Sequence, residues 1–335
     1  MRSRHVLPLG GMRFTMINSS IPIVVVTGFL GAGKTTFLRS LIEAGELRKT
    51  LFIVNEIGEV GLDQQLLQAS GAKDPILLSG GCLCCEMKND LGYTLRDLYL
   101  KWPDKANPPI DKIVIETSGL ASPASVILQL AQDHWLRDRF RLSQIIGVID
   151  SEFGLETLTT NELALDQVIY SDTVFLSKQD KVNAEQSAHL TECILRINPR
   201  IKIKGVNGKD IKSADYYFMS PVRNDTMRQV SKPSVDHLLK YSTTNILMPD
   251  AMPWRSLASA LDELSQTYQN DLLRVKGVVY IKELTTPIVI HGVRGIFMQP
   301  EVLVMKDHTH ASLTLISAGT HANVIAEHLS RQLLA

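Results

Sequence analysis

Residues 27–36 read TGFLGAGKTT, and the segments on either side decide what that stretch is. Before it, residues 23–27 form a short β-branched apolar run that suits a buried parallel strand. After it, Phe37, Leu38, Leu41 and Ile42 fall on one face of an amphipathic helix. Strand, glycine-rich loop and helix in this order make a phosphate-binding loop. Gly28, Gly31 and Gly33 let backbone N–H groups curl around phosphate oxygens, and the helix N-terminus adds its partial positive charge. Lys34 is placed to reach the β- and γ-phosphates, and the Thr35 hydroxyl to take a position on Mg²⁺. A glycine-rich turn with no ligand is the competing reading, and the strand–loop–helix context argues against it.

Two later segments extend the nucleotide reading. Residues 112–115 are another buried strand, ending in Glu116-Thr117-Ser118-Gly119. A carboxylate at that strand end can hold the Mg²⁺ shell through water, and the Gly119 N–H can sense the γ-phosphate. Residues 173–176 are a further strand, followed by Ser177-Lys178-Gln179-Asp180. The Asp180 carboxylate can accept from guanine N1–H and from its exocyclic amine, a donor pair that adenine lacks. A site built on those bonds discriminates by on the order of 10⁴, because the wrong base leaves a buried acceptor unpaired. The guanine motif usually begins with Asn; Ser177 stands there instead, so weaker base affinity is expected while Lys178 and Asp180 keep the choice of guanine. A solvated strand end at Glu116 and a polar helix cap at 177–180 are the plainer alternatives.

Strand-like and helix-like segments alternate over residues 22–206. Further strands are expected at 75–78, 144–149 and 202–206, and helices near 89–101, 122–134, 160–170 and 184–197. This predicts an α/β fold of the P-loop NTPase kind, a mostly parallel sheet covered by helices on both faces. Residues 207–250 are polar and read as a linker. From 253 the pattern becomes helix (254–268), strands (272–281, 287–293, 312–316) and a final helix (322–334), a small α+β domain. The expected division is therefore a disordered extension over 1–20, a nucleotide domain over 21–206, a linker over 207–250 and a C-terminal domain over 251–335.

The chain has four cysteines, and three stand together as Cys82, Cys84 and Cys85 in GGCLCC. Cys193 sits on an apolar helical stripe with Leu190, Ile194 and Ile197 and reads as core. Adjacent cysteines rarely bridge each other, and no secretory signal is visible, so a reducing, cytoplasmic setting without structural disulfides is expected. Thiolates at this density suit a soft or borderline ion such as Zn²⁺ or Cu⁺. Three thiolates leave a tetrahedral site open to a carboxylate, a histidine, water or a partner protein, which is what a transfer protein needs. Glu56 and Glu59, after the strand at 51–54, are candidate additional ligands or members of a solvated loop. A packed turn and a redox switch remain alternatives for the cysteine cluster. His308-Thr309-His310 reads as a solvated loop rather than a metal site.

The segments TGFLGAGKTT, VNEIGEVGLD, GGCLCC, VIETSGLASP and SKQD resemble, in order and approximate spacing, the CobW-like GTPases. The likeness runs over about residues 21–180 and resumes near 272, where LLRVKGVVYI and PIVIHGVRGIF look like the start of that family's C-terminal domain. The resemblance implies a GTPase that binds a transition metal at its cysteine motif and hands it to a client metalloprotein. Carried over, Gly28, Gly33, Lys34, Thr35 and Thr36 bind phosphate and Mg²⁺, Glu116 belongs to the second nucleotide motif, Asp180 reads the base, and Cys82, Cys84 and Cys85 hold the metal. Zn²⁺ is the favoured cargo, with Co²⁺ and Ni²⁺ as alternatives. Many relatives carry a histidine-rich stretch between or after the domains; residues 207–250 hold only His237.

Composition narrows the function classes. Formal net charge is zero, which leaves no basic footprint for nucleic acid. No apolar run approaches the ~20 residues of a membrane span. The first twenty residues carry Arg2, Arg4 and Arg13 and no acid. Their apolar part is too short for a signal peptide; an upstream start or weak organelle targeting are the other readings. Lys34, Thr35 and Glu116 are the expected catalytic group, acting through phosphate and Mg²⁺ electrostatics. No glutamine or arginine stands out to position the attacking water, so slow intrinsic turnover is expected. The rival readings are a nucleotide-gated metal-responsive binding protein, a cobalt-handling role in cobalamin assembly and, least favoured, a small-molecule kinase. Self-association is open, with no interface identified.

Overall fold

The computed structural model describes residues 6–8, 13–15, 20–43, 49–54, 76–77, 87–104, 108–205, 240–302 and 310–334. Within the segment expected to be a disordered extension, β1 (Val6–Pro8) and β2 (Arg13–Thr15) pair antiparallel, Val6 opposite Thr15. Val, Leu, Phe and Thr suit strands, and Gly10-Gly11 stand between the two runs, so the sequence carries a hairpin signal that the arginines obscure. The chain divides into two compact units.

The larger unit holds, in chain order, β3 (Ile21–Thr27), α1 (Lys34–Glu43), β4 (Thr50–Val54), β5 (Ile76–Leu77), α2 (Met87–Lys101), β6 (Lys112–Glu116), α3 (Ala124–Gln132), α4 (His134–Arg137), β7 (Phe140–Asp150), α5 (Gly154–Thr160), α6 (Glu162–Tyr170), β8 (Thr173–Ser177), α7 (Ala184–Ile197) and β9 (Lys202–Gly205). Its seven strands run β5-β4-β6-β3-β7-β8-β9, and every pairing is parallel. Parallel strands need crossover connections, which here are the helices. Both faces of the sheet are therefore covered, and β3 is buried at six of its seven residues. Val24 and Val26 pack with Phe37, Leu38 and Leu41 of α1, and Phe52, Val114, Val148 and Phe175 complete that core. The Phe37 and Phe175 rings lie 4.5 Å apart, which locks α1 onto β8.

The helix expected near 160–170 is α6, and a further helix, α5, precedes it. Asn161 breaks the run, and its side chain accepts from the N–H groups of Leu163 and Ala164 to cap α6. Cys193 is buried on α7, as its apolar stripe predicts.

The smaller unit holds β10 (Tyr241–Leu247), α8 (Trp254–Thr267), β11 (Leu272–Val279), β12 (Ile288–Val293), β13 (Ile296–Phe297), β14 (Glu301–Val302), β15 (Ser312–Ala318) and α9 (Ala322–Leu334). Its sheet runs β10-β15-β11-β12-β13, with β14 on β12, and all pairings are antiparallel. Trp254, Leu257, Leu261 and Leu264 of α8 and Ile325 and Leu329 of α9 meet Val275, Val279, Leu313 and Leu315 in one core. β10 lies inside residues 207–250, so the segment read as linker ends by Tyr241. As an edge strand of Tyr-Ser-Thr-Thr-Asn it lacks an apolar alternation, which is why it reads as linker. Among the described residues, no helix is long and apolar enough to cross a membrane.

Candidate nucleotide site

The sequence motifs meet at the carboxyl ends of adjacent strands. β3 lies between β6 and β7, and β8 is next to β7, so the loops after β3, β6 and β8 open on one edge of the sheet. Ligands of such sheets bind there.

The phosphate loop has the backbone its glycines permit. Gly28, Gly31 and Gly33 have φ of 150°, 73° and 87°. A Cβ on Gly28 would stand 2.3 Å from the Val148 carbonyl oxygen, so only glycine lets the chain leave β3 this close to β7. The Phe37 N–H donates to the Gly33 carbonyl at 2.9 Å, which starts α1 at the end of the loop. Lys34 is buried, and its ammonium donates to the Gly28 carbonyl at 3.0 Å, with the Phe29 carbonyl at 3.5 Å. The charge thus lies across the loop and is satisfied by the loop's own oxygens. A buried ammonium needs such partners, and phosphate oxygens are stronger ones.

Thr35 and Glu116 are 81 positions apart in the chain, yet the Thr35 hydroxyl donates to Glu116 Oε1 at 3.1 Å. Glu116 is 2% exposed, so a carboxylate closes the β6 end of the cradle. Hydroxyl and carboxylate oxygens are hard donors of the kind Mg²⁺ takes, alongside water and phosphate oxygen. Thr36 is exposed on the first turn of α1.

Gly119 sits tightly against the phosphate loop. A Cβ there would come within 2.8 Å of the Leu30 nitrogen and 2.9 Å of its Cα. Gln167, on α6, donates from its side-chain amide to the Gly119 and Ala121 carbonyls at 3.2 and 3.3 Å. Sequence reasoning passed over Gln167. Its signal is a lone amide among Ala164, Leu165, Val168 and Ile169, all buried.

Ser177 takes a part that the sequence did not suggest. Its hydroxyl, buried, donates to the Ala32 carbonyl at 2.7 Å and lies 3.3 Å from the Ile149 carbonyl. It ties the end of β8 to the phosphate loop. Ser177→Ala leaves the Ala32 carbonyl without this donor, at about 1–3 kcal/mol for a buried acceptor. The expected result is a roughly tenfold weaker affinity in a titration with a fluorescent guanine nucleotide. An unchanged affinity would mean the bond is incidental.

Lys178 adopts a left-handed backbone, φ 52°, and its ammonium pairs with Asp150 at 2.5 Å. Asp150 ends the apolar run of β7, a position whose meaning appears only once β7 and β8 are adjacent. Lys181 pairs with Glu152 at 3.3 Å, a second link between the same two loops. Asp180 is exposed.

The structure thus brings together Gly28, Gly31, Gly33, Lys34, Thr35, Thr36, Glu116 and Gly119, with Lys178 and Asp180 on the neighbouring strand end. The expected metal ligands Cys82, Cys84, Cys85 and Glu56, together with Glu59, lie outside the described residues, as does His308. Among the described residues, no group of three or more His, Cys, Asp or Glu side chains is placed to hold a metal ion.

Comparison with known proteins agrees with both units. The family described as CobW/HypB/UreG, nucleotide-binding domain, matches residues 22–204, and the cobalamin synthesis protein cobW C-terminal domain matches residues 242–333. Zinc chaperone YjiA of Escherichia coli (strain K12) is 29% identical over 281 residues, covering 83% of this chain and 87% of that one. Zinc-regulated GTPase metalloprotein activator 1 of Schizosaccharomyces pombe is 32% identical over 194 residues, 55% of this chain and 45% of that one. Zinc chaperone CobW of Pseudomonas aeruginosa is 32% identical over 202 residues, 51% and 52% of the two. The chain thus matches about half the length of the latter two. The crystal structure of Zn(II)-bound YjiA GTPase from E. coli superposes with a TM-score of 0.63 at 23% identity, over 93% of this chain and 99% of that chain, a likeness of fold.

Proposed function

This chain belongs to the CobW/HypB/UreG family, and from that membership we propose that it is a GTP-hydrolysing metallochaperone. It binds a transition metal, Zn²⁺ in preference to Co²⁺ or Ni²⁺, at Cys82, Cys84 and Cys85, and passes it to a client metalloprotein. The observation that carries the nucleotide half is the meeting of Lys34, Thr35 and Glu116 at one strand edge beside the 177–180 motif. The metal half is supported by the cysteine cluster in the sequence and by the zinc-chaperone names of relatives.

Each residue has a stated task. Backbone N–H groups of the loop from Gly28 to Gly33 take the phosphates. The Lys34 ammonium leaves the Gly28 carbonyl for β- and γ-phosphate oxygens, where negative charge spreads as the terminal phosphoryl departs. Thr35 and Glu116 would hold Mg²⁺, which would supply charge neutralisation to the β- and γ-phosphates. Asp180 accepts from guanine. Gly119 offers its N–H to the γ-phosphate, and Gln167 holds the turn that carries it. Gly119 packs so closely on Leu30 that only glycine fits there, so this turn and the phosphate loop are in direct contact. Glu56 is a candidate fourth metal ligand on the segment between β4 and the cysteines. A ligand there would couple metal affinity to the nucleotide state.

The nucleotide assignment is tested by displacement of a fluorescent GDP analogue. GTP and GDP are expected to compete, and ATP to fail at concentrations at least tenfold higher. Equal displacement by ATP would remove guanine from the reading.

A further inference from the structure

Beside the phosphate loop is a cavity of about 310 Å³ whose apolar walls have no task in the nucleotide chemistry. Its walls include Phe29, Leu30, Ile149, Phe153, Leu158 and Val168. It shares Gly28–Ala32 with the phosphate loop but not Gly33–Thr36 or Glu116, so it flanks the cradle without being the cradle. Binding pockets span roughly 300–1,000 Å³, which puts this one at the size for one or two side chains.

Its mouth is apolar and open to solvent. Leu30 is 51% exposed and Phe153 54%, and both line it. Leu155, 39% exposed, stands on α5 between lining residues Gly154 and Thr157. Leu120, 51% exposed, follows Gly119, which packs on Leu30. Half of the large apolar side chains exposed among the described residues therefore gather at this one place. A site for a free small molecule would bury its own lining; an apolar hole with an apolar rim fits a protein surface that covers both.

The segment that forms one of its walls is acidic. Residues 150–166 carry five acids, Asp150, Glu152, Glu156, Glu162 and Asp166, and no base. Lys178 and Lys181 offset two of them through their pairs with Asp150 and Glu152, which leaves a net of three negative charges. Nucleotide phosphates in the neighbouring loop would add more.

We propose that this cavity is an anchor socket for a protein partner, which inserts one leucine or aromatic side chain from a basic amphipathic helix. The apolar rim packs against the rest of that helix face, and the acids of 150–166 meet its lysines or arginines. The inference does not depend on the metal assignment. Because the socket shares Gly28–Ala32 and Lys178 with the nucleotide site, a seated partner rests directly on the loop that holds phosphate.

The probe is a fluorescein-labelled helical peptide of leucine and lysine with one central tryptophan, followed by fluorescence anisotropy against the full chain. Its control has glutamate for every lysine. The Leu/Lys peptide is expected to bind saturably, and Phe153→Ala to weaken it roughly tenfold or more. Glu156→Lys should weaken it several-fold and flatten its salt dependence. Tyr93→Ala, on the exposed face of α2 and outside the cavity lining, should leave it unchanged. Phe153 and Glu156 are exposed and have no part in hydrolysis, so melting temperature and GTP turnover should match the parent and show that each variant is folded. The inference is overturned if no peptide binds, if both peptides bind alike, or if the variants bind as the parent does. If Phe153→Ala instead dissolves a self-associated form by light scattering and the peptide does not bind, the occupant is a second copy and the basic partner is wrong.

Discussion

Lys34→Ala is expected to lower GTP hydrolysis by roughly 10²–10³-fold, the loss typical when a preorganised donor to developing charge is removed. The side chain is buried with its ammonium 3.0 Å from the Gly28 carbonyl. It is therefore aimed across the loop before any phosphate arrives, and little reorganisation is needed to use it. Removing it takes a buried charge out of the protein but leaves the Gly28 carbonyl without this donor, so the melting temperature of the nucleotide-free variant should change little. Loss of activity with retained stability separates a catalytic role from a structural one. Lys34→Arg should not restore turnover, because a planar guanidinium cannot occupy the place of a compact ammonium beneath the same carbonyls. Phosphate release measured with malachite green reads both variants. Turnover within a few-fold of the parent would contradict the assignment of the loop.

Cys84→Ala is expected to weaken metal binding by roughly 10²-fold while leaving GTP affinity unchanged. Thiolate-rich zinc sites bind with about 10–16 kcal/mol, so one ligand of four carries roughly 2–4 kcal/mol, and each ~1.4 kcal/mol is tenfold. Cys84 is the middle of the three thiols, flanked by Leu83 and Cys85. A competition titration with a chromophoric zinc chelator measures the loss, and the fluorescent GDP analogue checks the nucleotide site in the same sample. Equal zinc affinity in variant and parent would leave the cysteines without a metal role. A parallel loss of GTP affinity would instead mean that the variant disturbs the fold.

The nucleotide half was legible because its chemistry is local. A phosphate loop needs glycines at positive φ and a lysine at the helix start, and both stand in ten consecutive residues. The strands that carry Glu116 and Asp180 were legible as buried apolar runs, since a parallel sheet covered on both faces hides the whole strand. What the sequence withheld depends on which strands are neighbours. Ser177 looked like a weakened base contact until β8 was placed near the phosphate loop, where its hydroxyl holds Ala32. Lys178 looked like part of a base motif, and its partner Asp150 could be found only from the pairing of β7 with β8. Gln167 acts on a turn 46 and 48 positions away. The edge strand β10 and the hairpin of β1 and β2 were missed because polar or charged residues dilute the apolar signal on which strand recognition rests.

The decisive measurement is GTP hydrolysis by purified, metal-stripped protein, with Zn²⁺, Co²⁺ and Ni²⁺ added back singly and ATP as the control. A GTP-gated metallochaperone predicts slow turnover that rises with Zn²⁺ and with GTP alone. Turnover indifferent to all three ions, or equal with ATP, would contradict the coupling of the nucleotide site to a metal cargo.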